Sequence, residues 1–141
     1  MTTIVINKNE ICADTQITAD STFNSIKVFK FYSKVFGCEV IAGTAGDCHQ
    51  GDVFLDWLKT DDELEELDEC DALVSDGQSI YFFGGSKYPI PVLDDYMAVG
   101  TGAPYALAIL DNGGTLSDAV RAAIKRDESS GGEVWSLKLK D

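Results

Sequence analysis

Thr2, Asp14, Lys27, Asp127 and Ser130 are the residues of this chain whose types could act together on an amide bond. If Met1 is removed, Thr2 carries a hydroxyl and a free α-amine on one residue. Such an amine has an ordinary pKa of about 7.7–8.0, close to working pH, so it can take the hydroxyl proton as general base. No histidine is needed for this chemistry, and the chain has a single one, His49. Thr2 is small enough for methionine aminopeptidase to release Met1, although many chains begin Met-Thr without consequence. Lys27, in SIKVFKF, shares a strand face with Phe29 and Phe31. It reads either as a snorkelling edge residue or as a partly desolvated cation paired with a carboxylate such as Asp14 in ADTQ. A cation of the second kind beside a hydroxyl favours the alkoxide. Lys30 points to the opposite face and is the fallback for that role.

Three further stretches invite a chemical reading. GTAG (43–46) ends a strand where a helix begins; its small residues either present backbone N–H groups to a cleft, as an oxyanion hole requires, or form a tight turn. RDESSGGEV (126–134) runs from a helix end into a strand. Gly131 or Gly132 can supply the positive φ of a C-terminal cap there, or Asp127 and Ser130 turn back to hydrogen-bond the N-terminal amine. GTGAPYA (100–106) has G-x-G between a strand and a helix, but the third glycine is missing, Pro104 intervenes and no parallel β-α-β unit surrounds it. Nucleotide binding is therefore disfavoured. Cys48, His49 and Asp52 form the last-ranked cluster, for a metal or thiol, because sequence neighbours diverge on a helix.

These residues need elements to position them. TTIVIN (2–7) and EICAD (10–14) read as strands around a turn at Lys8-Asn9, and 15–25 as a polar loop. KVFKFY (27–32) and GCEVIAG (37–43) read as a second strand pair. GDCHQGDVFLDWLK (46–59) shows helical apolar spacing only toward its end, at Phe54, Leu55 and Leu58, which predicts a short helix. ALVSDGQSIYFFGG (72–85) predicts a hairpin turning at Asp76-Gly77. SKYPIPVLDD (86–95), with two prolines, is expected to be irregular. YMAVG (96–100) reads as a strand, PYALAILDNGG (104–114) as a helix with Pro104 in its first turn, and LSDAVRAAIKRDE (116–128) as a helix capped by Thr115 with Asp118. GGEVWSLKLK (131–140) closes the chain as a strand. VFKF and VWSLKL alternate, whereas IVI and ALV are continuous apolar runs that must be buried on both faces. Strands outnumber helices and come in hairpins. The pattern calls for two antiparallel sheets packed together with helices outside.

Bulk properties limit the partners. The chain has 141 residues, 45% of them apolar, which suits one domain (1–141) with a real core. Its net charge of −13 repels phosphate, so nucleic acid is not an expected partner. Much of that charge lies in DDELEELDECD (61–71), read as a solvated helix or loop face. No apolar stretch is long enough to span a bilayer, and residues 2–6 lack the flank and cleavage site of a signal peptide. A soluble cytoplasmic protein with no membrane partner is expected. The four cysteines, Cys12, Cys38, Cys48 and Cys70, form no C-x-x-C pair, which disfavours zinc. They read as small buried residues in a reducing compartment, and no cofactor is expected.

Five segments in order, TTIVI, ADTQ, IKVFKF with GTAG, GTGAPYALAILD and RDESSGG, resemble proteasome β-type subunits and the related bacterial HslV-type peptidases, which are N-terminal-nucleophile hydrolases. They anchor both ends of the chain. RDESSGG is the most specific, since the family carries Arg-Asp-x-x-Ser-Gly-Gly there. The resemblance implies an α+β fold: a four-layer αββα sandwich of two antiparallel sheets with helices outside, the helical layer between the sheets' halves shortened. It implies a threonine-type peptidase in which Thr2 is the nucleophile and its amine the base. Asp14 and Lys27 would be the activating charge pair and the Gly46 N–H the oxyanion donor. Thr101 stands where the family has a serine near the amine, and Asp127 and Ser130 would orient that amine. Ile17, Ser25, Thr44 and Cys48 would line the pocket for the side chain before the scissile bond; being small or medium and mostly uncharged, they suggest modest apolar side chains.

Implied partners are a peptide or unfolded-protein substrate, a homo-oligomeric ring and an ATPase unfoldase. The chain departs from the family by being shorter. The shortfall falls between residues 57 and 72, where members have two long helices that help rings stack. No propeptide is expected, since Thr2 directly follows Met1. A different class of reading is a catalytically inactive structural or regulatory ring subunit. The complete set Thr2, Asp14, Lys27, Asp127 and Ser130 argues against it, because drift tends to break at least one member.

Overall fold

The computed structural model describes residues 2–141; Met1, whose removal the threonine reading requires, lies outside them. The continuous apolar run IVI forms β1 (Ile4–Ile6) and turns into β2 (Glu10–Asp14). The turn is held by Asn7, whose side-chain oxygen accepts from the N–H groups of Asn9 and Glu10 at 2.9 and 2.7 Å. β10 (Met97–Val99) pairs with the free edge of β1, and β11 (Val134–Lys138) with that of β2, giving a four-stranded antiparallel sheet in the order β10-β1-β2-β11.

The second sheet is a five-stranded antiparallel meander of β5 (Val28–Ser33), β6 (Cys38–Gly46), β7 (Cys70–Ser75), β8 (Ile80–Phe83) and β9 (Ile90–Val92). Between β6 and β7 the chain leaves the sheet to form α1 (Cys48–Thr60). α2 (Ala103–Asp111) and α3 (Leu116–Arg126) follow β10. α3 starts with the expected capping box, in which the Thr115 hydroxyl and the Asp118 carboxylate exchange bonds with each other's backbone N–H.

The burial of IVI on both faces defines the layers. Ile4 and Ile6 pack with Ile11, Val28, Ile41 and Leu73 between the sheets. Val5 and Cys12 face the other way, against Ala106, Leu110 and Val120 of α2 and α3. On the far side Val40, Ala42 and Val74 meet Phe54 and Leu58 of α1. Each fully buried aliphatic side chain contributes about 1.5–3 kcal/mol. The result is the αββα sandwich expected, with one 13-residue helix as its thinner outer layer.

Two expectations are corrected. Residues 15–25 are not a plain loop. β3 (Gln16–Thr18) and β4 (Thr22–Asn24) pair there as an exposed hairpin, too short and polar to show alternation. Residues 86–95 are not irregular throughout, because Ile90–Val92 pairs with β8 at the sheet's edge. A proline is tolerated on an edge because its missing N–H can face outward. α1 matches the expected segment 46–59 to within two residues; it begins at Cys48, with Asp47 as N-cap accepting from the Gln50 N–H. The acidic stretch 61–68 carries no helix or strand, yet Leu64 and Leu67 pack onto the core beneath α1. Among the described residues no helix is long and apolar enough to cross a membrane.

Candidate active site

The register of the first hairpin, Ile4 opposite Ala13, brings position 3 beside Asp14. Asp14 is fully buried. Its Oδ1 accepts from the Thr2 hydroxyl at 2.7 Å, the Thr3 N–H at 3.1 Å and the Lys27 ammonium at 2.9 Å, and its Oδ2 from the Gly131 N–H at 3.0 Å. Lys27, from the segment entering β5 of the facing sheet, also donates to Thr2 Oγ1. The hydroxyl therefore sits between a cation that donates to its oxygen and a carboxylate that accepts its proton. Thr2 and Lys27 are themselves buried. Burial pushes the Lys27 ammonium below its ordinary value, against the opposing pull of Asp14. Lys30 does not reach this group. It donates to the Leu139 carbonyl at 3.0 Å and faces Glu39 at 3.7 Å, so of the two lysines Lys27 is the one beside Thr2.

A second cluster joins the two ends of the chain. Thr3 Oγ1 lies 2.7 Å from Ser130 Oγ, which donates to Asp127 Oδ2 at 2.6 Å; Thr101 donates to the same oxygen at 2.7 Å. Burial acts to raise the Asp127 carboxyl, but the Ser130 and Thr101 hydroxyls and the Ser129 N–H outweigh it and hold it below the usual carboxylate value. Ser130 thus fastens Thr3, the residue next in chain to Thr2, and Asp127 holds Ser130. Gly102 makes the close approach possible, since a Cβ there would lie 1.9 Å from Thr3 Oγ1. Gly102→Ala is expected to lower the free energy of unfolding by about 1–3 kcal/mol, read as a shifted urea midpoint at unchanged m-value.

The pocket residues converge. Ile17, Ser25, Thr44, Gly46 and Cys48 line one cavity of about 300 Å³ with Thr2 and Lys27. Gly46 has φ +122°, and a Cβ on it would lie 2.2 Å from the Glu69 carbonyl oxygen, so only glycine fits where the strand turns out of the cleft. Thr101 lines a neighbouring cavity, which Gly46 also borders.

Asp52, missed in the pocket by sequence reasoning, lines the first cavity as well. It lies four residues after Cys48 on α1, so the two share a helix face. That spacing is already present in the expected helical segment 46–59. Among the described residues no three His, Cys, Asp or Glu side chains converge as a metal site requires. Of the cysteines, Cys12 and Cys70 are buried as expected, and burial pushes their thiols up to about 12 and about 11. Cys48, by contrast, is exposed, because it opens α1 at the cavity's rim.

No protein-family model matches the chain, and no curated protein matches it in sequence. Solved structures do match in fold. The Thiobacillus denitrificans protein BPH in complex with epoxomicin superposes with a TM-score of 0.71 at 16% identity, over 98% of this chain and 97% of that one. BPH described without epoxomicin gives 0.68 at 16%, over 98% and 96%. Eukaryotic HslV from Trypanosoma brucei gives 0.69 at 15%, over 97% of each chain. The chain shares its fold with BPH and HslV over 97–98% of its length.

Proposed function

We propose that residues 1–141 form one threonine-type amide hydrolase domain, a peptidase whose nucleophile is Thr2 once Met1 has been removed. The observation that carries this reading is the Thr2 hydroxyl held between buried Lys27 and Asp14 at the edge of a cleft. The freed α-amine takes the Oγ proton, and Oγ attacks the substrate carbonyl carbon. The Gly46 N–H receives the oxyanion, an interaction worth roughly 10²–10³ in rate. The ammonium then passes its proton to the departing amine. An ester is left on Thr2, and water activated by the same amine hydrolyses it. Asp127 and Ser130, with Thr101, orient the amine.

Tyr88, Ile90 and Leu93 are 70, 57 and 96% exposed, and such an apolar edge suits contact between copies in a ring. A cytoplasmic ring acting on unfolded chains, with or without an ATPase unfoldase, belongs to this reading.

Intact-mass analysis with a peptide epoxyketone tests it. The Thr2 oxygen bonds to the ketone carbon and the Thr2 nitrogen opens the epoxide. No group leaves, so the chain gains the whole probe mass. A chain lighter by one methionine that takes this adduct supports the reading; a full-length, unreactive chain leaves the inactive ring subunit.

The pH profile of kcat/KM gives a second check. Asp127, held below the usual carboxylate value, stays ionised from pH 6 upward and cannot produce an acid limb there. Activity is expected to rise toward pH 8 as the amine, with its ordinary pKa of about 7.7–8.0, loses its proton. Because burial lowers the Lys27 value, the alkaline decline is expected below the ordinary lysine pKa of about 10.4. A flat profile between pH 6 and 9 removes the amine as base.

A further inference from the structure

The cavity beside Thr2 combines apolar walls with unmatched negative charge. Ile17, Phe23, Phe29 and Leu55 supply apolar surface, and Asp47 and Asp52 lie in the same lining. Asp47 already accepts from the Gln50 N–H at 2.9 Å as the cap of α1. Asp52 is exposed and takes part in none of the ion pairs among the described residues, which join Lys27 to Asp14, Lys30 to Glu39 and Arg121 to Asp118. The lining's own cation, Lys27, is matched by Asp14. What faces an incoming side chain is thus an aliphatic and aromatic sleeve beside a carboxylate with no partner.

We propose that this cavity takes the side chain of a lysine or arginine on the acyl side of the scissile bond. Its methylene stem lies along Phe29 and Leu55, and its charged head meets Asp52. This rests on the hydrolase reading and names the substrate class for it. A volume of about 300 Å³, at the small end of ligand cavities, has room for one long side chain. The modest apolar preference drawn from Ile17, Ser25, Thr44 and Cys48 leaves Asp52 out, although it follows Cys48 by one helical turn.

A second observation extends the same charge logic across the site. Gly46 also borders a neighbouring cavity of about 580 Å³, lined by Asp47, Asp68, Glu69 and Asp71 and by no lysine or arginine. A chain held at the Gly46 N–H has carboxylates on that side of it too. The net charge of −13 adds long-range attraction for basic peptides.

The test uses tripeptide epoxyketones identical except for lysine, leucine or glutamate beside the ketone, with adduct rates read by intact mass on the full chain. Lysine is expected to react roughly tenfold faster than leucine, with glutamate slowest. Asp52→Asn is expected to bring the lysine-to-leucine ratio near one, and Asp52→Lys to place glutamate above lysine. Equal lysine and leucine rates in the wild type, or a ratio unmoved by Asp52→Asn, overturns the proposal. If no probe reacts, leucine included, the hydrolase reading itself falls and the proposal with it.

Discussion

Thr2→Ala is expected to lower peptide hydrolysis by on the order of 10⁴-fold or more and to eliminate the epoxyketone adduct, while the chain still folds. The size follows from removing the attacking atom itself, which no neighbour can replace: Lys27 and Asp14 carry no nucleophile suited to the position. Survival of the fold follows from what remains. Lys27 still donates to Asp14 at 2.9 Å, and the Thr3 and Gly131 N–H groups still satisfy the carboxylate. The lost hydroxyl bonds cost about 1–3 kcal/mol, within the stability of an ordinary domain. Thr2→Ser keeps both hydroxyl and amine and is expected to retain the adduct at a reduced rate. The two variants therefore separate loss of chemistry from loss of structure. Circular dichroism and urea midpoints check the fold, and intact mass checks the adduct. Hydrolysis at the wild-type rate in Thr2→Ala would remove Thr2 from the reaction.

How far the site was legible depends on which contacts are local. The Thr2–Asp14 contact follows from one hairpin, since pairing 4–6 with 10–14 in the only register that buries both apolar runs puts position 3 beside 14. The sandwich was legible for a related reason: Ile4 and Ile6 need one neighbour and Val5 another, which two packed sheets and an outer helix supply. The contact of Ser130 with Thr3, 127 residues away, is of a different kind. No periodicity fixes it; the residues of RDESSGG left it open against a C-terminal cap, and the resemblance favoured it.

What escaped was polar or lay at an edge. β3 and β4 pair with no buried residue between them, so they carry no burial signal. β9 includes Pro91, whose ring argues against a strand until its place at the sheet edge is known. Asp52 falls inside the expected helical segment 46–59, four residues after Cys48, so its place at the pocket is legible from helix spacing alone.

Lys27→Met is expected to destabilise the fold by about 3–5 kcal/mol and to reduce kcat on the order of 10³-fold, two effects with one origin but separable readouts. Asp14 is fully buried, and its one cationic partner among the described residues is Lys27. Without that partner a buried carboxylate retains only neutral donors, and its desolvation is no longer offset. Methionine fills a similar volume, so the cost reports charge more than packing. Asp14→Asn with Lys27→Met removes both charges and is expected to recover most of the lost stability, giving a strong favourable coupling in the double-mutant cycle. Activity is not expected to return, because the double variant has neither the cation that favours the Thr2 alkoxide nor the carboxylate that holds the hydroxyl. A merely structural ion pair would behave otherwise, with activity following stability back. Recovery of kcat in the double variant would therefore take Lys27 out of the chemistry, and a wild-type urea midpoint in Lys27→Met would mean that the Asp14 charge is held by other groups.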